Sequence, residues 1–125
     1  MEISNKINIE GKSLFLPDKS SLENSVYFFV YNIKIKNQSS EEVRLLSRYW
    51  NIKDANGNID VVKGEGVVGE QPILRMNESY KYTSFCPLKT EFGSMSGFYI
   101  FAKKNGDKFK SEIPEFGLIT PHNIN

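Results

Sequence analysis

The 125-residue sequence holds one Cys, one His and one Trp, and its basic side chains outnumber its acidic ones by a single charge, for a net of +1. Each shortage excludes a class of chemistry. Cys86 on its own rules out an internal disulfide, a thiolate-rich zinc site or a CxxC redox pair within one chain. A lone Cys is expected to serve as a small core residue rather than as a reactive thiol. His122 stands in the polar segment Thr120-Pro121-His122-Asn123-Ile124-Asn125, where a chain end frays, so a Ser/His/Asp or Cys/His arrangement lacks a positioned base. The near-zero charge removes the global reason to expect nucleic acid or an anionic membrane as partner. No run of about 18 apolar residues offers a membrane helix, and no apolar h-region follows Met1, so a cytoplasmic location is the expectation. The acids are scattered among lysines with no pair placed for general acid and base work. No enzyme activity and no cofactor are therefore expected.

What the sequence does contain is short period-2 patterning, with no dozen residues holding a 3.6 period. It therefore predicts an all-β fold, with residues 1–119 as a single domain and 120–125 as a flexible tail. Phe29, Tyr31, Ile33 and Ile35 alternate with Val30, Asn32, Lys34 and Lys36, giving a long strand with one apolar face. Residues 43–54 form the next strand, with Leu46, Arg48, Trp50 and Ile52 on one side. Arg48 beside Trp50 on that face predicts a bulge or a buried ion pair. Asn56-Gly57 and Asn105-Gly106 each lie between β-like runs and predict type I′ hairpin turns. Residues 79–84 supply another strand, and an opening strand falls within 3–15. About seven or more antiparallel strands with turn signals between them favour a two-sheet sandwich over a barrel.

Three segments resemble chemistry. Gly64-Glu65-Gly66-Val67-Val68-Gly69 matches GxGxxG, but Pro72 blocks the helix that a dinucleotide fold needs next, and Glu65 and Glu70 repel phosphate. The expectation is a structural or partner-binding loop, with phosphate or nucleotide binding through residues 64–69 as the alternative. Three glycines in six residues imply positive φ angles or close strand approach, with Val67 and Val68 pinning the loop. Asp54, Asn56, Asn58, Asp60 and Glu65 have the spacing of a 12-residue EF-hand loop, yet Ile59 replaces the required Gly and strands flank it. Asp54, Asp60 and Glu65 are left as weak candidates for a metal, and the polar hairpin is the expectation. Lys103, Lys104, Lys108 and Lys110 beside Asp107 and Glu112 are expected to form a solvated face rather than a nucleic-acid site.

Rings are the more telling excess. Tyr27-Phe28-Phe29 and Phe98-Tyr99-Ile100-Phe101 place large groups on both faces of their strands, whereas a sandwich strand needs them on one. Tyr27, Phe28, Tyr99 and Phe101 are the candidate outer rings, covered by the chain's own ends, by a second copy in a homodimer, or by a protein partner not identified by the sequence. Glu65, Glu70 and Gln71 in the 64–72 block would supply its polar contacts.

Leu45-Leu46-Ser47-Arg48-Tyr49-Trp50, Asp54-Ala55-Asn56-Gly57, Gly64-Glu65-Gly66-Val67-Val68-Gly69-Glu70-Gln71-Pro72 and Tyr82-Thr83-Ser84 together resemble the ApaG family. The likeness runs from Leu16-Pro17 to Ile113-Pro114-Glu115-Phe116. Tyr49 departs from the family pattern, standing where His often precedes the Trp, which leaves any role of that His without its side chain. Phe85 stands where Gly often follows the Thr-Ser pair, a change expected at most to reshape a loop. The resemblance implies a fibronectin type III-like sandwich. It also implies a small bacterial protein whose domain recurs in a eukaryotic F-box protein and a DNA-polymerase-interacting protein, which favours a non-enzymatic protein-binding module. It further implies links to cobalt and magnesium tolerance and to a neighbouring diadenosine tetraphosphate hydrolase, neither of which assigns chemistry to residues.

Overall fold

The computed structural model describes residues 3–121, and among them the regular structure is β apart from two 3-10 turns, Ile3–Lys6 and Pro17–Lys19. The strands are β1 (Ile7–Phe15), β2 (Tyr27–Asn37), β3 (Val43–Asp54), β4 (Ile59–Glu65), β5 (Ile73–Leu74), β6 (Ser79–Leu88), β7 (Phe92–Lys103) and β8 (Lys108–Ile119). A three-stranded sheet, β1-β2-β6, packs on a five-stranded one in which β4-β3-β7-β8 run in order and β5 pairs with β3. Every strand pair is antiparallel.

Alternation builds the core. Phe29, Tyr31, Ile33 and Ile35 of β2 are all buried, as their period predicts, while Asn32 and Lys34 stay exposed. Trp50 receives the edges of Tyr31 at 5.6 Å, Phe116 at 6.0 Å and Tyr99 at 6.3 Å between centroids. Burying a side chain of this size contributes about 1.5–3 kcal/mol, and edge-to-face contact adds to it.

On β7 the phase is the opposite of the one that would leave Tyr99 and Phe101 outside. Both are fully buried, together with Met95, and Phe98 turns outward instead. The reason is polar as well as apolar, because the Tyr99 hydroxyl meets that of Tyr82 across the sandwich. Phe98 is covered by stacking on Tyr49 at 4.8 Å and by Lys110 Nζ over its ring at 4.6 Å.

The bulge signalled by Arg48 falls just before it, where β3 shifts register against β7 between Leu45 and Ser47. Val43 and Leu45 face inward ahead of the shift, and Trp50 beyond it, so the bulge reconciles two apolar phases on one strand. Both Asn-Gly hairpins form, but not as type I′ turns. Gly57 (φ +87°) and Gly106 (φ +95°) take positive φ while Asn56 and Asn105 do not, and Gly57 and Gly106 donate to the carbonyls of Asp54 and Lys103. Each is a type I turn closed by a glycine bulge, a form favoured here because Asp54 Oδ1 and Asn105 Oδ1 already accept turn N–H groups at 2.9 Å.

The two sheets meet closely on one side only. There Ser13 Oγ donates to Gly117 O at 2.6 Å, and Gly11 leaves room for the Phe116 ring, which a Cβ would approach to 2.5 Å. At the chain's end Thr120 is fully buried and its N–H donates to Glu91 O at 3.3 Å, so the order continues past the expected boundary at 119. His122 lies outside the described residues.

Candidate functional site

The glycine-rich segment is an excursion between β4 and β5, which lie end to end along the same side of β3. It closes over the β3 bulge. Leu46 O, released by the register shift, accepts from Gly66 N at 2.7 Å and from Gln71 Nε2 at 2.9 Å. Val67 and Glu70 exchange backbone hydrogen bonds at 2.8 and 3.0 Å, and Val67 is fully buried in the core. Val68, expected to help pin the loop, is exposed with φ +47°. Gly66 and Gly69 have φ of +63° and +80°. Gly64 serves close approach instead, since a Cβ there would lie 2.7 Å from the Arg48 guanidinium.

This geometry assigns the loop residues. The N–H groups of Gly66, Val67 and Glu70 are spent on protein carbonyls, and β5 follows rather than a helix. Glu65 and Glu70 are exposed, with Glu70 Oε2 accepting from Tyr80 Oη at 3.3 Å. Gln71 is no free contact residue: its amide is committed to Leu46 O, and its carbonyl accepts from Arg44 Nε at 3.2 Å. Pro72 is half-buried, and its carbonyl accepts from Leu45 N.

Of the candidate metal carboxylates, Asp54 and Asp60 line one pocket with Asn58, but Glu65 does not join them. Asp54 Oδ1 and Oδ2 are taken by Asn56 and Asn58, Asp60 pairs with Ile52, and Glu65 pairs with Ser47 at the far end of β4. The five residue steps along the strand from Asp60 to Glu65 span roughly 17 Å. Among the described residues, no three His, Cys, Asp or Glu side chains are grouped to hold an ion. Burial pushes the Asp54 carboxyl up, but hydrogen bonds from the Asn58 side chain and the turn backbone outweigh it and hold the pKa below its ordinary value. Two of the four hairpin lysines are paired, Lys103 with Glu41 at 3.8 Å and Lys110 with Glu112 at 3.6 Å.

Tyr27 and Phe28 are half-buried, while Tyr99 and Phe101 belong to the core, so the four proposed outer rings do not form one surface. Phe85, which the sequence marks only as a departure from the family pattern, is an outer ring in its own right. It lies within β6 rather than in a loop, is 54% exposed, and meets Phe28 at 5.8 Å between centroids. Across the opening from it runs β4, an edge strand with Ile59, Val61 and Val62 exposed.

Between β4 and β6 the sandwich gapes. A slot of about 200 Å³ enters there, lined by Arg48, Trp50, Val62, Ser84, Cys86 and Met95 among others. Arg48 Nη1 donates to Glu65 O and Gly66 O, each at 3.0 Å, so no buried ion pair forms and the guanidinium braces the loop instead. Burial raises the pKa of Tyr31, Tyr82 and Tyr99 despite the Arg48 charge nearby. It also pushes the buried Cys86 thiol up to about 11, with the Asp60 charge adding to the effect, so the thiol stays protonated at neutral pH.

These features define a two-sheet sandwich of the fibronectin type III kind, carrying a braced glycine-rich loop beside an open edge. The ApaG domain family model matches residues 17–103. The chain is 47% identical over 116 residues to protein ApaG of Methylobacterium radiotolerans, covering 93% of this chain and 89% of that one. It is 43% identical over 119 residues to protein ApaG of Beijerinckia indica, covering 95% and 92%. The crystal structure of an ApaA protein from Bordetella pertussis superposes with a TM-score of 0.88 at 36% identity, covering 92% of this chain and 94% of that one. The chain belongs to the ApaG domain family. No helix among the described residues is long and apolar enough to cross a membrane.

Proposed function

We propose that this protein is a non-enzymatic protein-interaction module whose partner lays an extended segment along β4. The observation that carries this reading is the edge itself. β4 pairs with β3 on one side only, and six of its seven residues are exposed, among them Ile59 at 56% and Val61 at 46%. Exposed apolar edges are templates for strand addition, and Lys63 is the only basic side chain guarding this one. Glu65 closes the strand and Glu70 lies just beyond it, so a strand on β4 would reach the acidic loop as well. The apolar contacts in this reading come from the edge beside the loop instead of from Tyr99 and Phe101, with Phe85 and Phe28 across the opening. Any link to cobalt or magnesium tolerance runs, in this reading, through the partner, because Glu65 stands apart from Asp54 and Asp60 and no third acid joins that pair among the described residues.

The test is affinity capture from native lysate with the parent, an Ile59→Lys/Val61→Lys variant and a Glu65→Arg/Glu70→Arg variant. The edge variant should lose the protein that the parent retrieves, and the loop variant should weaken its recovery. Recovery of the same protein at the same yield by the edge variant refutes the edge as the contact. Titration with ATP should leave the Gly64, Gly66 and Gly69 amide resonances unmoved, whereas saturable shifts there would promote nucleotide binding in its place.

A further inference from the structure

We propose that the slot between the sheets binds a small monocarboxylate with an apolar body, the carboxylate held by Arg48, Trp50 and Ser84. The site borders the β4 edge, sharing Val62 and Phe85 with the edge reading, and needs no partner.

Three observations converge on it. Trp50 is 2% exposed, and its Nε1 is the one buried side-chain nitrogen or oxygen among the described residues without a hydrogen-bond partner. An unmet buried donor is destabilising and calls for an acceptor. Arg48, on the same lining, is half-buried and has no carboxylate within 4.0 Å among the described residues. Both of its hydrogen bonds leave from Nη1, so Nε and Nη2 have no protein acceptor there. Ser84 contributes a hydroxyl beside that of Tyr31, while the Cys86 thiol donates to Pro87 O at 3.7 Å and offers the slot no free proton. The polar complement is thus a cation and donors, with no anion on the lining.

The remaining lining, which includes Ile52, Val62, Phe85 and Met95, is apolar. An open slot of about 200 Å³ matches a ring or a short chain in size. One guanidinium balances one negative charge, so a carboxylate fits better than a doubly charged phosphate, whose second charge would be buried without compensation. Asp60, outside the lining, lies opposite Ile52, four residues or roughly 13 Å along β3 from Arg48, so its charge favours docking of the carboxylate at the Arg48 end.

Trp50 is the chain's only Trp, so its emission and its indole N–H resonance report this slot alone. The parent protein is titrated with phenylacetate and hexanoate, and separately with 2-phenylethanol and inorganic phosphate. One of the acids should shift the indole resonance saturably, at least tenfold more tightly than the alcohol or phosphate. Arg48→Gln should weaken that binding by tenfold or more. Because Arg48 also braces the loop, Val62→Phe provides a second variant: it should fill the slot and abolish the response with an unchanged unfolding midpoint. No indole shift with either acid overturns the proposal and leaves a trapped water as the acceptor. Equal affinity for the alcohol reduces the slot to an apolar void, equal affinity for phosphate removes the carboxylate specificity, and an undiminished response in Val62→Phe places the acid elsewhere. Each of these refutes it.

Discussion

Gly66→Ala and Gly69→Ala form a pair that separates backbone conformation from contact. Both glycines hold positive φ, +63° and +80°, a region that costs an L-residue about 1–2 kcal/mol. Gly69 has nothing within 4 Å of an added Cβ, so its substitution should cost that amount alone. At Gly66 the Cβ would fall 2.2 Å from Glu70 O, a backbone atom that moves only if the Val67–Glu70 pairing opens. Losing those two hydrogen bonds at about 1 kcal/mol each brings the total to about 3–4 kcal/mol. Strain on buried Val67 would add to it. Urea unfolding followed by Trp50 fluorescence measures both. With a slope of about 2 kcal/mol/M, Gly66→Ala should lower the midpoint by about 1.5–2 M, and Gly69→Ala by about 0.5–1 M. Equal midpoints, or a larger loss at Gly69, would refute the closed-loop geometry.

Asn37→Ala should be among the most destabilising single changes, by about 3–4 kcal/mol, with a fall in Tm of roughly 10–15 °C in a calorimetric scan. Asn37 is fully buried, its Nδ2 donates to Glu41 O and Leu74 O, and its Oδ1 accepts from Ser39 N and Oγ, so truncation strands Ser39 N and Leu74 O, while Ser39 Oγ keeps Glu41 O at 3.1 Å as a partner. A loss under 1 kcal/mol would show the network to be replaceable by water. Cys86 should resist iodoacetamide at neutral pH in the native protein and react readily in urea, because burial and the Asp60 charge hold its pKa near about 11. The folded thiol keeps its proton more tightly than the unfolded one, whose value is 9.0, so stability should fall as pH rises from about 9 toward 11. A Cys86→Ala variant whose alkaline decline matches the parent's would refute that linkage.

Local signals made much of this protein legible. The alternation of Phe29 to Ile35 carries its own phase, because the opposite face reads Asn32, Lys34 and Lys36 and leaves no second apolar choice. The Asn-Gly pairs placed both hairpins, and the clash of Arg48 with Trp50 announced an irregularity in β3. The same local rules were silent where both phases were apolar. In Phe98-Tyr99-Ile100-Phe101 either face could be buried, and the decision came from Tyr82 on another sheet, which supplies the Tyr99 hydroxyl with its partner. Turn type depended on side-chain oxygens of Asp54 and Asn105 folding back on the backbone, a competition that the dipeptide does not reveal. Asn37 belongs to no motif of the sequence, and its weight comes from Ser39, Glu41 and Leu74 converging on it. The slot is the most tertiary feature, since Arg48, Trp50, Val62 and Ser84 come from three strands of two sheets. Periodicity in one strand specifies which side chains point inward, whereas a cavity exists only where two sheets stop meeting. Here that gap opens because β1 and β8 close tightly around Phe116 while β4 and β6 do not.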